Sequence, residues 1–340
     1  MKRRAFLQLI AATAVAAQAQ TLRQPADGPK RRAQILAAVQ DVMGPLPGAE
    51  KRCALDVQVS EEVDCGSHVR RLITYASEPG SRTPAYLLIP KSALAGKPAP
   101  AALCLHGTNN TIGHAVVIEG LGNQTPNRQY ASELAERGFV TIAPNYPLLA
   151  KYQPDVFKLG YASGTMKAIW DNLRGLDYLS TLPFVKTNGF GTIGHSLGGH
   201  NGVFTAAFDE RIKVVVSSCG LDSFLDYAGG DPKVWKAERG WCQQRYMPKL
   251  LDYAGRLEAI PFDFQELIGA LAPRACFINA PLGDTNFKWR SVDTIAQAAR
   301  PVYELFGAPQ NLRVEHPDSG HLFPGEMREK AYRLLEEHLR

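Results

Sequence analysis

The rhythm of apolar and polar positions changes near residue 100. Before it, short segments alternate: Leu55-Asp56-Val57-Gln58-Val59, then Val69 to Tyr75, then Ala85 to Pro90. A period of two marks strands with one face on a core. Glu78-Pro79-Gly80-Ser81 between the last two is a turn signal. These segments predict an antiparallel edge meander. One helix is predicted before them, over Arg31 to Met43, where Gly44 and Pro45 end it.

Beyond residue 100, continuous apolar runs alternate with segments of helical period. The runs are Ala101 to Leu105, Phe139 to Ala143, Phe190 to Ile193, Val214 to Ser217, Ala275 to Asn279 and Leu312 to Val314. Between them lie Tyr130 to Arg137, Ser163 to Leu182, Leu197 to Phe208, Val292 to Phe306 and Met327 to Leu339. Uninterrupted apolar strands separated by helices predict an α/β fold, with a mostly parallel sheet covered on both faces. One stretch breaks the alternation. Residues 221–271 separate two strands, far more than the usual connection of about 2–6 residues. That insertion carries Tyr227, Trp235, Trp241, Tyr246 and Phe262, and reads as a lid or as extra packing.

The N-terminus belongs to a different category. Met1-Lys2-Arg3-Arg4 leads into an alanine-rich apolar run from Leu9 to Ala17, followed by a small-x-small site at Ala17-Gln18-Ala19. This predicts a signal peptide over residues 1–19, with export to the periplasm or beyond. Arg3-Arg4-x-Phe6-Leu7 resembles the twin-arginine signal; an ordinary Sec signal is the alternative. Residues 20–340 then form one domain with the insertion. The net charge of +5 falls by three once Lys2, Arg3 and Arg4 leave, which removes the case for a nucleic-acid partner. Hydrophobic residues at 45% and charged residues at 21% exclude a disordered chain. No later segment is long and apolar enough to span a membrane. Six cysteines are too sparse for a disulfide scaffold; Cys53 and Cys65, flanking a strand-like segment, are the pair with a case for bridging. Without CxxC or HExxH, a structural or catalytic zinc site has no support, and no metal is expected.

Chemistry concentrates at Gly194-His195-Ser196-Leu197-Gly198-Gly199, between a strand and a helix. That context makes GxSxG a nucleophile elbow. The Ser196 hydroxyl is presented at the sheet's C-terminal edge, and the Leu197 amide opens a helix, aimed at a developing oxyanion. A hydroxyl needs a base. Strand-end positions downstream supply Asp284, after Ala275 to Asn279, and His321, after Leu312 to Val314. Asp222 is a rival acid and His316 a rival base, while Asp318 has the alternative of orienting the loop. A second oxyanion donor is expected in His106-Gly107-Thr108, at Thr108 or Gly107. His106, His195, Trp235, Trp241, Phe287 and Trp289 are pocket candidates; their aromatic faces suit sugar rings or aromatic acyl groups, and packing is the competing reading. Gly189 to Gly194 formally matches GxGxxG, but its first glycines fall at or inside a strand, against the dinucleotide fingerprint.

On His106-Gly107, the Gly194 to Gly199 elbow, Gly283-Asp284 and Gly320-His321, the chain resembles the α/β-hydrolase superfamily from about residue 50 onward. Within it the chain is similar to secreted bacterial hydrolases of the dienelactone-hydrolase and acetyl-xylan-esterase type. It departs from dienelactone hydrolases in having Ser196 where those carry cysteine, and it lacks the HGGG of one lipase branch. The resemblance implies a serine esterase with a Ser-His-Asp triad and no cofactor, acting on a small-molecule or carbohydrate ester. A peptidase or amidase of the prolyl-oligopeptidase type, using the same triad, is the alternative.

Overall fold

A computed structural model describes residues 24–122 and 125–340; the signal-peptide expectation lies outside them. Nine strands form one sheet in the order β1-β2-β3-β5-β4-β6-β7-β8-β9. They are β1 (Gln58–Asp64), β2 (His68–Glu78), β3 (Ser81–Pro90), β4 (Ala99–Leu105), β5 (Val140–Pro144), β6 (Val185–His195), β7 (Ile212–Ser218), β8 (Ala275–Asn279) and β9 (Leu312–Glu315). The pairs β1–β2, β2–β3 and β3–β5 are antiparallel. From β5 to β9 every pair is parallel. The alternating N-terminal segments thus make the meander, and the continuous runs make the parallel part. In β4, β5 and β8 every residue is buried, because helices cover both faces and no side of those strands meets water.

The helices of seven residues or more are α1 (Gly28–Met43), α2 (Tyr130–Glu136), α3 (Gly164–Thr181), α4 (Leu197–Phe208), α5 (Phe264–Leu271), α6 (Trp289–Leu305) and α7 (Gly325–Leu339). Helix α3 shows how the local sequence sets its bounds. The Ser163 hydroxyl accepts from the Met166 amide at the N-terminus, and Met166, Ile169, Trp170, Leu173 and Leu176 bury one stripe. Lys167 on that helix is fully buried. It donates to Ser77 and is paired with Glu78 and Asp171, tying α3 to the end of β2.

Two expectations change. Strand β1 begins at Gln58, so Leu55-Asp56-Val57 stays outside it; Asp56 has a positive φ of 40°, which a strand does not tolerate. Cys53 and Cys65 are both free. Leu55 accepts from Ala76, whereas Cys65 donates to His68. These anchors lie eight residues apart on β2, about 26 Å, far beyond the reach of a disulfide. Within the insertion, short helical turns lead into α5, whose Phe264, Leu267, Ile268 and Leu271 enter the core. The insertion thus buries Trp235, Trp241, Met247, Leu250 and those residues of α5, while the turns between them, such as 225–234 and 251–261, have no buried residue. Among the described residues no helix is long and apolar enough to cross a membrane.

Candidate active site

Strand β6 ends at His195 and α4 starts at Leu197, leaving Ser196 alone in the turn at φ 57° and ψ −124°. A non-glycine residue in that region is strained, and the surrounding glycines explain how it is held there. A Cβ on Gly198 would sit 1.9 Å from the Leu105 carbonyl oxygen. One on Gly194 would sit 2.3 Å from the Gly198 carbonyl carbon, and one on Gly199 2.8 Å from Ser217 Oγ. The close approach of β4, β6 and α4 is possible only without those side chains. The GxGxxG match lies wholly in β6. There Gly191 makes room for Leu335 of α7, 2.4 Å from a notional Cβ, and Gly189 for Lys213 of β7, so these strand glycines serve packing and form no phosphate loop.

Beyond β8, Asp284 is buried, with its side chain 0% exposed, and accepts the Nδ1–H of His321 at 2.8 Å. The Asn286 and Phe287 amides donate to its other oxygen at 2.8 and 3.1 Å. Burial alone raises this carboxyl. The hydrogen bond and charge of His321, with the two amides, outweigh burial and hold it below the ordinary range. Asp284 is thus an anion fixed against one imidazole nitrogen. The other nitrogen points away from that bond on a ring 29% exposed. Ser196 Oγ makes no hydrogen bond among the described residues; such contacts commonly tighten only with substrate bound.

The loop carrying His321 is tied down by its backbone. Arg128 donates to the His321 carbonyl at 3.1 Å. Asn279, at the end of β8, donates to the Leu322 carbonyl at 3.0 Å and to Ser218 Oγ at 2.8 Å. Ser218 Oγ in turn meets His195 Nδ1 at 2.9 Å. The His195 ring stands edge-on to His321, centroids 4.7 Å apart. Burial, Arg128 and His321 push His195 well below the ordinary imidazole range, so a neutral ring backs the His321 ring. Asn279, Ser218 and Arg128 escaped sequence reasoning. For Asn279 there was a signal: a polar residue closing the apolar run Ala275-Cys276-Phe277-Ile278 at the C-terminal edge of a parallel strand, where sites gather. Arg128 carried none.

The rivals are engaged elsewhere. His316 contacts the Ala280 carbonyl through Nδ1 and Asp293 through Nε2. Asp222 is buried and accepts from the Lys288 amide at 3.4 Å, with its second oxygen unpartnered; burial pushes it up to about 7. On the oxyanion side, Gly107 lies against the elbow, a notional Cβ being 3.5 Å from Ser196 Cβ. Thr108 Oγ1 meets the Tyr246 hydroxyl at 2.8 Å, which fixes the loop to the insertion. The Leu197 amide, at the first position of α4, has no carbonyl within its own helix.

Most pocket candidates belong to the interior instead. His106 is buried and its Nε2 accepts the Tyr146 amide at 2.9 Å; burial lowers it to about 4. His195 is 2% exposed and braces His321. Trp235 and Trp241 are buried, Trp241 stacking on His200 at 4.2 Å. These large apolar faces gain more by packing than by lining an open cleft. Phe287, also buried, lies 5.8 Å from the His321 ring and stacks on Trp241. Trp289 is half-buried and packs on His316 and Arg290.

His195, Cys219 and His321 bring ligand atoms within 4.8 Å of one another. Cys219 donates to the Leu322 carbonyl at 3.3 Å. Burial and the Asp284 charge keep its thiol well above the ordinary range. Its sulfur is thereby held as a thiol against the backbone of the residue that follows His321.

Known proteins agree with this architecture. Residues 154–307 match the family model for fungal glucuronyl esterases. YtaP of Bacillus subtilis (strain 168), a hydrolase by name, is 29% identical over 267 residues, covering 76% of this chain and 84% of that one. The glucuronoyl esterase from Solibacter usitatus superposes with a TM-score of 0.72 at 19% identity, over 90% of this chain and 92% of that chain. One from Teredinibacter turnerae gives 0.69 at 17%, over 93% and 86%. With its sheet order, its strained serine elbow and its strand-end Asp–His pair, the chain has the α/β-hydrolase fold, and the proteins it is similar to are hydrolases, esterases among them.

Proposed function

We propose that this esterase cleaves carboxylic esters borne on carbohydrate, through Ser196, His321 and Asp284. The 2.8 Å bond between His321 Nδ1 and the buried Asp284 carboxylate carries the reading. It orients the imidazole so that its other nitrogen is left to act as base. Ser196 Oγ attacks the ester carbonyl, and His321 takes the hydroxyl proton and returns it to the leaving alcohol. Asp284 fixes the tautomer and stabilises the imidazolium. The amides of Leu197 and of Thr108 or Gly107 receive the oxyanion. Water then attacks the acyl-enzyme with His321 again as base, releasing the acid. The glucuronyl esterase family match and the glucuronoyl esterase neighbours favour a sugar-acid ester.

The same reading takes residues 1–19 as an export signal, on Lys2-Arg3-Arg4 and Ala17-Gln18-Ala19. It takes 20–340 as one catalytic domain. A substrate panel tests the function: a methyl glucuronate ester, acetylated xylan, nitrophenyl esters of rising chain length and an aminoacyl nitroanilide. The expected result is higher kcat/KM on the sugar esters than on the anilide. Preferential cleavage of the anilide would overturn it in favour of a peptidase.

A further inference from the structure

A second concavity lies at the opposite end of the sheet. It has a volume of about 560 Å³ and is lined by α1, α5, α6 and the first residues of β7 and β8, within the roughly 300–1,000 Å³ typical of ligand sites. Ser218, beside the elbow, and Lys213, at this cavity, sit towards opposite ends of β7, about 17 Å apart along the strand. The cavity therefore belongs to no part of the ester-cleaving site.

Its lining combines two chemistries. Ile35, Ala270, Val302 and Phe306 form an apolar wall, while Arg31, Arg32, Lys213 and Arg274 outnumber Glu210 and Glu266. Glu210 is taken by Arg32 at 3.4 Å. Glu266 accepts from the Asp263 amide. Arg274 has no carboxylate partner among the described residues. Its Nη1 donates to the carbonyls of Ala206, Asp209 and Ile212 at 2.8, 3.2 and 2.9 Å, and its Nε to that of Leu271 at 3.1 Å. The guanidinium is thereby held rigid, with Nη2 making no hydrogen bond among the described residues. Burial and the neighbouring Arg32 charge pull Arg274 below the ordinary range, a like-charge cost that a bound anion relieves. A preorganised guanidinium loses little entropy on gaining a carboxylate.

We infer that this cavity is an accessory site for an amphiphilic carboxylate, whose acid group pairs with the Arg274 side of the cavity and whose apolar body lies along Ala270, Val302 and Phe306.

Gly269 offers a way to close it. A Cβ there would meet Val302 Cγ2 at 3.5 Å, an ordinary contact, so Gly269→Phe enters the cavity without a clash at its root. Calorimetric titration of the full chain with sodium octanoate, 1-octanol and octyltrimethylammonium is the test, with ester hydrolysis followed in parallel. The expected result is saturable 1:1 binding of octanoate only. It weakens at least about tenfold in Gly269→Phe, and about two- to fivefold in the exposed charge reversal Lys213→Glu. Hydrolysis is unchanged in both variants. No saturable octanoate binding, equal binding of the cationic analogue, or undiminished binding in a folded Gly269→Phe would each overturn the inference. The binding readout does not depend on catalysis, so it stands or falls separately from the esterase reading.

Discussion

Asn279 Nδ2 donates to the carbonyl of Leu322 at 3.0 Å, one residue beyond His321, and the same amide group donates to Ser218 Oγ. One side chain at the end of β8 therefore links the histidine loop to the strand beside the elbow. Asn279→Leu removes both bonds. The expected outcome is a 10- to 100-fold fall in kcat with KM nearly unchanged, because a misaligned base costs rate more than binding. Steady-state kinetics on a nitrophenyl ester check it; an equal fall in both parameters would argue for general loosening instead.

Asp284→Asn preserves shape but removes the charge that fixes the His321 tautomer. A loss of about 10³–10⁴ in kcat is expected. Its folded pKa is depressed. The charge thus contributes stability above the unfolded value near 3.8, and that contribution is lost as pH falls through the folded value. Acid denaturation of the wild type should therefore be steeper below pH 4 than that of the variant, followed by circular dichroism.

Asp222 gives the opposite sign. Its carboxyl is raised to about 7 by burial, so between about pH 4 and pH 7 the folded state binds a proton that the unfolded state has released. Stability falls as pH rises through that window, by an amount on the order of a few kcal/mol. Asp222→Asn removes this slope. Urea midpoints at pH 5 and pH 8 should show the variant gaining on the wild type at the higher pH; parallel curves would contradict the assignment.

Glycine substitutions separate close packing from mere turn chemistry. Gly198→Ala places a Cβ 1.9 Å from the Leu105 oxygen and should cost at least about 4 kcal/mol or abolish folding. Gly325→Ala, whose nearest neighbour would be 4.0 Å away at the Arg328 guanidinium, should change the melting temperature little. Thermal denaturation of both decides it.

Much of this was written in local sequence. The buried strands β4, β5 and β8 announce themselves as unbroken apolar runs because both faces are covered. Ser196, Asp284 and His321 stand out because each follows such a run. What the chain does not disclose locally is tertiary competition. Trp241 and His200 are polar-capable aromatics that pair with each other in the interior, and no spacing separates that fate from a pocket wall. Lys167 reads as a solvent-facing charge. It is buried because Glu78 and Asp171 meet it from another element and from the next helical turn. Arg128 reaches His321 across 193 residues, a separation that no periodicity encodes.

In the proposed mechanism Ser196 is the nucleophile, and His321, held by Asp284, activates it. The most direct measurement is covalent labelling with a nitrophenyl phosphonate, followed by peptide mass spectrometry. The account predicts one adduct per chain, on Ser196, with loss of esterase activity in step. It also predicts no adduct in Ser196→Ala, and labelling slowed by several orders of magnitude in His321→Ala. An adduct on another residue, or wild-type ester turnover by Ser196→Ala, would contradict it.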